Sequence, residues 1–441
     1  MDLILALLIL YLAARLAGEA MEQIGQSPMI GEVLAGILLG PSILGLIDPT
    51  VGVEPGTSLS VVSNLGILVL VLLAGMELGR EGLRQAVRER SIVVAFVEFL
   101  LPFVLGFGLA AAMGMSLTQC LFLGTAMAVT ALPVSVRILL DLNLLHSRLG
   151  RAIVSVALAN DLVAFAMLGL VLDLTRLGGG APAAGQVGFV VAKNLLFLGL
   201  VLAMALLLKW AMRASKSGIP RMQAFIERLK GQERGMAVSI VLALFLGAAA
   251  EAVGIHFAVG VFYGGVLITP RLLGAARFVK IRSAVQTVTF GLLAPIFFGF
   301  VGLNFTLRFG SWPLIVLVTA VAFSGKFFGG LLGGLLAGFR GRPLIALGIG
   351  LNARGMMELL LAQVGLAGGI ITADLYSALV VMALLTTLST PPLLKRIMRG
   401  FRAQDLIPEP VVPTKEPGGG GVGRPRASSR GRRAVHRENP R

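Results

Sequence analysis

GTAMAVTALPVSVRILLDLNLLHSRLGRAIVSVALANDLVAFAMLGLVL, residues 124–172, holds two long apolar segments, each containing something that an apolar helix resists. In the first it is Thr130-Ala131-Leu132-Pro133, and in the second it is Asn160-Asp161. A proline in mid-segment removes a backbone donor and frees a carbonyl, which a spanning helix tolerates only where protein or a wet cavity satisfies it. A carboxylate deep in lipid costs about 2.5–3.5 kcal/mol on insertion scales, so it is kept for what it does. A broken helix beside a membrane-buried acid is the construction used for ion sites in secondary transporters.

Composition places the whole chain in the same setting. Hydrophobic residues are 56% of the 441, charged residues 14%, and mean hydropathy is +0.90, which excludes a soluble globular domain. Glycine reaches 57 while aromatics stay at 7%, which favours close-packed helices over the alternating strands of a barrel. The single cysteine, Cys120, excludes an internal disulfide and a cysteine metal cluster. The N-terminus starts with an acid and lacks the basic flank of a signal peptide, so it reads as a first spanning helix.

About 20 mostly apolar residues make a span. On that rule thirteen are expected: 2–17, 27–47, 58–78, 91–113, 117–140, 150–172, 188–212, 235–252, 255–270, 285–306, 312–338, 342–367 and 373–394. Basic residues then fall in alternate connections. Arg80, Arg84, Arg88 and Arg90 follow span three, and Arg148 and Arg151 follow span five. Seven more, from Lys209 to Arg234, follow span seven; Arg271, Arg277, Lys280 and Arg282 follow span nine; Arg340 and Arg342 follow span eleven. The connections in between hold Arg176 and Arg308 with Asp48, Glu54, Glu251 and Asp374. This is the positive-inside pattern, so the net charge of +16 marks cytoplasmic loops and not a nucleic-acid partner. It sets the N-terminus outside and the C-terminus in the cytoplasm.

An internal repeat is visible as well. Gly36-Ile37-Leu38-Leu39-Gly40 in span two returns as Gly260-Val261-Phe262-Tyr263-Gly264 in span nine. An offset of seven spans inverts topology, so spans one to six and eight to thirteen pair as inverted repeats, with span seven as connector. Span five then pairs with span twelve, which is also interrupted, by Gly348, Gly350, Asn352, Arg354, Gly355 and Glu358. After Arg399 the composition turns to Pro, Gly and Arg without apolar periodicity, as in a disordered tail that can touch anionic headgroups.

A carboxylate in a low-dielectric cavity holds a proton or a metal ion in competition. Asp161 is the candidate, and Asn160 offers an uncharged amide oxygen suited to a hard cation. Thr130 supplies a hydroxyl near the break, beside a possible packing role. Where broken helices cross, half-helix ends carry partial charges that need compensation. Arg354 and Glu358, four apart on one face, supply it or take part in ion binding directly. Lys326, mid-span in Ser324-Gly325-Lys326-Phe327, is too deep to snorkel and needs a carboxylate partner or titrates with the site. Glu32, Glu77, Glu98, Glu251 and His256 lie nearer span ends and read as interfacial.

At these residues the sequence resembles the monovalent cation:proton antiporter superfamily, close to its Kef-type and plant CHX-type branch. The resemblance runs over about residues 25–395 and rests on motifs in order: Ile30 to Ser42 (IGEVLAGILLGPS), Gly75-Met76-Glu77-Leu78, Thr130 to Val134 with Arg137, Asn160-Asp161, His256 to Gly260, Gly325-Lys326, and Asn352 to Leu359 (NARGMMEL). It implies a six-helix core domain that moves like an elevator against a dimerisation domain, with Asp161 as carrier. Members exchanging more than one proton per ion have two adjacent acids; Asn160 in the first place implies electroneutral exchange. The cytosolic nucleotide-binding domain of the Kef type is not expected, since about forty residues are too few to fold one.

The expectation is therefore an all-α polytopic membrane protein of about thirteen transmembrane helices, two inverted-topology repeats with crossed broken helices. The membrane domain covers 1–398 (repeat one about 2–172, connector about 188–212, repeat two about 235–394), and 399–441 is a basic cytoplasmic tail. Asp161, Asn160 and Thr130 hold ion and proton, and Lys326 is the basic companion of Asp161. Arg354, Glu358 and Asn352 neutralise the crossing, while Ala131, Leu132, Pro133 and Gly355 break the helices. The partners are Na+ or K+, protons, the bilayer of the inner membrane and a second copy in a homodimer; no cofactor or catalytic residue is expected. The rival readings are a cation-coupled symporter of an organic solute and a non-transporting scaffold. No HExxH, intramembrane aspartate pair or nucleophile with a His partner supports a membrane enzyme.

Overall fold

The computed structural model describes residues 2–50, 59–86, 89–130, 135–136, 138–139, 142, 144–145, 147–175, 184–211, 233–306 and 309–399. Their regular structure is helical. The helices are α1 (Leu3–Gln23), α2 (Pro28–Leu39), α3 (Leu59–Ala86), α4 (Glu89–Ala112), α5 (Leu117–Ala128), α6 (Arg148–Thr175) and α7 (Ala184–Ala211). There follow α8 (Arg234–Ala252), α9 (Phe257–Leu267), a single turn at Pro270–Leu273, α10 (Ala275–Val288 and Ala294–Leu303, joined by a π turn), α11 (Trp312–Leu336), α12a (Gly341–Gly350), α12b (Met356–Ala367) and α13 (Ala373–Ile397). Among the described residues nine of these are long and apolar enough to cross a membrane. Each expected span contains helix among the described residues, though not over its whole length, and the protein is a multi-pass membrane protein.

Sequence chemistry sets the ends. Ser116 and Gln119 close a capping box at the start of α5, Ser116 Oγ accepting from Gln119 N (3.3 Å) and Gln119 Oε1 from Ser116 N (3.0 Å). Thr372 caps α13 in the same sense, accepting from Leu375 N at 3.3 Å. The expected span 27–47 is helical only as far as Leu39. Gly40 sits at ψ 177° because Pro41 follows, and a proline ring disfavours α backbone in the residue before it. Thr269, ahead of Pro270, does the same just after α9, at ψ 158°. In α10 the π turn Thr289–Leu293 takes up the misfit just before Pro295, which has no N–H for the ladder.

Packing divides the helices into two groups, with α7 lying mainly against α6. One group is α1, α2, α3, α8, α9 and α10; the other is α4, α5, α6, α11, α12 and α13. The partners exchange as an inverted repeat requires: α1 lies on α2 as α8 on α9, and α2 on α10 as α9 on α3. Glycine makes the second pair of contacts possible, since a Cβ at Gly36 would lie 2.0 Å from Gly299 O and one at Gly75 2.2 Å from Phe262 O. In the other group α4 and α11, symmetry mates on this scheme, lie against each other. Gly325, Gly329 and Gly333 of α11 let Pro102, Glu98 and Val94 of α4 approach backbone to backbone.

Candidate ion-binding site

At about 1.5 Å per residue, the 12 residues of α5 reach about 18 Å, little more than half of a hydrocarbon core near 30 Å. The helix therefore ends inside the protein, where its last carbonyls have no partners of their own. Basic side chains from the second half of the chain supply them. Arg354, in the break between α12a and α12b, donates to Ala126 O (Nη1, 3.1 Å) and Met127 O (Nη2, 2.8 Å), and Lys326 of α11 donates to Ala128 O. Cations at a helix C-terminus oppose its negative dipole end. The reverse holds at α12b, which follows Gly355 and carries Glu358 in its first turn. Glu358 Oε1 accepts from Arg354 Nη1 at 2.7 Å, so one ion pair serves both broken ends. Thr387 Oγ1 of α13 donates to Arg354 O at 2.7 Å, and Asn352 Nδ2 donates to Gly348 O at 3.1 Å, finishing α12a. Ala131, Leu132 and Pro133, expected to break span five, lie outside the described residues, as do Arg137 and the tail from residue 400.

A second cluster lies beside the first. Glu98 of α4 is fully buried, and Oε1 accepts from Lys326 Nζ and from Thr130 Oγ1 (3.1 Å), Oε2 from Asn160 Nδ2 (2.5 Å). Thr130 Oγ1 in turn accepts from Lys326 Nζ (2.5 Å) and Asn160 Nδ2 (3.1 Å). Two expectations need correction here. Glu98 is not interfacial: it stands opposite Lys326 because the α11 glycines bring α4 within reach. Lys326, expected as the basic companion of Asp161, spends its hydrogen bonds on Glu98, Thr130 and Ala128 O, because α4 offers a carboxylate on the face that α11 packs against.

Asp161 stands next to this cluster on α6 and is 5% exposed. Among the described residues its Oδ1 is buried and meets no hydrogen-bond donor. Among the described residues, Glu77 of α3 and Lys326 act on it electrostatically. Of the other polar residues singled out in the sequence, Glu32 is buried between α1 and α2 beside Gly18, and Glu251 is exposed. His256 caps α9, its Nδ1 accepting from Ala258 N at 3.3 Å. The signal that would have found Glu98 was a base deep in span eleven, whose symmetry mate, span four, holds one acid well inside it.

Two packed groups of helices around crossed half-helices, with buried carboxylates where they meet, make this an ion-coupled membrane transporter fold. The chain belongs to the sodium/hydrogen exchanger family, whose transmembrane model matches residues 4–399. It is similar to the Na+/H+-K+ antiporter GerN of Bacillus cereus, 29% identical over 88% of this chain and 94% of that one. It is also 31% identical to the Na+/H+ antiporter NhaS4 of Synechocystis over 90% of this chain and 97% of that one. The fold matches that of the sodium proton antiporter MjNhaP1 of Methanocaldococcus jannaschii with a TM-score of 0.65, over 92% of this chain and 99% of the other at 16% identity. The protein is a transporter and not an enzyme.

Proposed function

We propose that the protein exchanges one Na+ or K+ for one proton across the inner membrane, with Asp161 binding either in turn. The observation that carries this reading is the contrast of acids at the crossing: Glu98 and Glu358 each pair with a base, whereas Asp161 makes no ion pair among the described residues; its Oδ1 meets no donor, as is also true of Glu358 Oε2. Counted formally among the described residues buried at the crossing, Glu98, Glu358 and Asp161 against Lys326 and Arg354 leave one negative charge. A single proton or a single monovalent cation cancels it, so either form of the carrier crosses neutral. Asn160 commits Nδ2 to Glu98 and Thr130, which leaves its amide oxygen as the atom it offers a cation beside Asp161. Lys326, Thr130 and Asn160 fix the Glu98 carboxylate, and Arg354, Glu358 and Asn352 hold the crossing together. Gly355 is the break that lets the start of α12b reach this depth.

In this reading the group α4–α6 and α11–α13 carries the site past the other six spanning helices by an elevator movement, and α7 connects the two. Repeat one covers about 2–172 and repeat two about 235–394, with the N-terminus outside and the basic tail 399–441 in the cytoplasm. The protein works as a homodimer. Proteoliposomes with an imposed pH gradient test the proposal: Na+ or K+ collapses the gradient for wild type, and Asp161→Asn leaves it standing. Either a gradient that no monovalent cation collapses or a variant that matches wild type sinks it. A gradient collapsed only when an organic solute is added points to the symporter.

A further inference from the structure

The two helix groups are tied together at the end of the bundle away from the basic loops, where α10 finishes and α13 begins. Val301 sits in the last turn of α10, and its carbonyl is one of the four that a helix end leaves without a ladder partner. The donor it would have used, Phe305 N, bonds Gly302 O instead at 3.1 Å. Tyr376, in the first turn of α13 and fully buried, fills the vacancy: its hydroxyl donates to Val301 O at 2.7 Å. The same hydroxyl lies 3.1 Å from Gln363 Oε1 of α12b, within its own helix group. A phenol has one proton to donate. It therefore serves one of these acceptors at a time, a backbone oxygen on one side of the group boundary or a side-chain oxygen on the other. Next to it, Ser377 Oγ accepts from Thr306 N at 3.0 Å, across the same boundary.

We propose that Tyr376 is a bolt on the outer side of the exchanger, which trades Val301 O for Gln363 Oε1 when that side opens. The inference rests on the reading that α13 travels with the carrier group and α10 does not. A hydroxyl that only tied two fixed helices would need no second acceptor. Here the second acceptor travels with the tyrosine, so its O–H stays bonded in both states and the swap strands only Val301 O, at a helix end where water can reach once the side opens. The bolt is therefore a positioning device that biases which side the site faces. It touches neither ion nor proton.

Two variants separate this role from a merely structural one. Tyr376→Phe keeps the ring and removes the hydroxyl from both states; the bond to Val301 O, at 2.7 Å against 3.1 Å to Gln363 Oε1, is the stronger of the two, so the closed state loses more, the outer side opens more readily and the apparent KM for cation added at the outer face falls several-fold. Gln363→Leu removes the second acceptor, disfavours the open state and raises the same KM several-fold. The inner-face KM moves in the opposite direction in each case, measured in inside-out against right-side-out vesicles. Loss of stability alone would lower the rate of both variants and leave the two KM values in their wild-type ratio, an outcome that overturns the proposal. A second measurement is independent of transport. In a Cys120→Ser background, Thr306→Cys with Ser377→Cys places two thiols where hydroxyl oxygens now stand 3.4 Å apart. Their disulfide is expected to form several-fold more slowly once Tyr376→Phe is added. An unchanged rate overturns the bolt even in a protein that moves no cation, and a changed rate in such a protein sinks only the antiporter reading.

Discussion

Glu98 and Asp161 are both carboxylates buried in spanning helices, the first bonded to Asn160, which precedes the second, and their surroundings are opposite. Glu98 is met by an ammonium, a hydroxyl and an amide on its two oxygens. Asp161 has an oxygen that no donor meets among the described residues. A buried charge with full compensation is held in one state, because removing its partner strands it at a cost of about 3–5 kcal/mol. A buried acid without it is held by nothing but what it binds, so proton and cation compete for it. On the proposed function the difference gives the two acids two tasks, structure and exchange, on chemistry that residue type alone does not separate.

The largest effect that would break this comparison is at Asp161 itself. Asp161→Asn is expected to fold and melt near the wild-type temperature in detergent while exchange falls below detection, since no compensated partner is lost. Lys326→Met is expected to do the reverse, lowering stability by about 3–5 kcal/mol through the stranded Glu98. Pairing it with Glu98→Gln should recover most of that loss, and a double-mutant cycle by thermal melting reads the coupling. A cycle with no coupling would show that Glu98 is not held by Lys326. A subtler change moves an acid between the two sites. Asn160→Asp sets a second carboxylate against Glu98 Oε2, where both cannot ionise, and should slow exchange about tenfold, the worth of one pKa unit or about 1.4 kcal/mol. Asn160→Asp with Glu98→Gln restores the formal charge count, so exchange should recover and stay insensitive to an imposed voltage. Voltage dependence in the double variant would refute the neutral count.

Much of this arrangement was legible in the sequence, because lipid makes anomalies conspicuous. Pro133, Asp161, Lys326 and the Gly348 to Glu358 run each violate an apolar span, and positive-inside loops fixed the count of spans independently. Two things were hidden, for different reasons. The early stop of α2 depends on a local rule, the restriction that Pro41 places on Gly40, which hydropathy overrides because Ile43, Leu44, Leu46 and Ile47 continue the apolar run. Glu98 was hidden by its distance from Arg90, only eight residues or about 12 Å of helix, which reads as the edge of a span. Its depth follows from a contact between α4 and α11 that no local pattern encodes. The proposed inverted repeat would encode it indirectly, since helices that exchange under a two-fold axis and touch each other lie on that axis, and a base on one then calls for an acid on the other.

The smallest effect is expected at the ion pair that resembles Glu98–Lys326 only on paper. Arg282 of α10 approaches Glu77 of α3 at 3.6 Å, and Gln286 Nε2 reaches the same oxygen at 3.5 Å, both long for hydrogen bonds. The Arg282 side chain is 42% exposed, so solvent already screens what the pair gains. The Glu77 side chain is only 14% exposed, so Arg282→Gln should cost more than loss of a fully exposed pair does, about 1 kcal/mol. Exchange should also persist, because Arg282 belongs to neither cluster at the crossing. Glu77, however, lies within the electrostatic reach of Asp161. If Arg282→Gln changed melting by no more than this but altered the cation concentration at half-maximal exchange, Glu77 would have to be counted with Asp161 on the uncompensated side. The division between held and exchanging acids would then run through α3 as well as through the crossing.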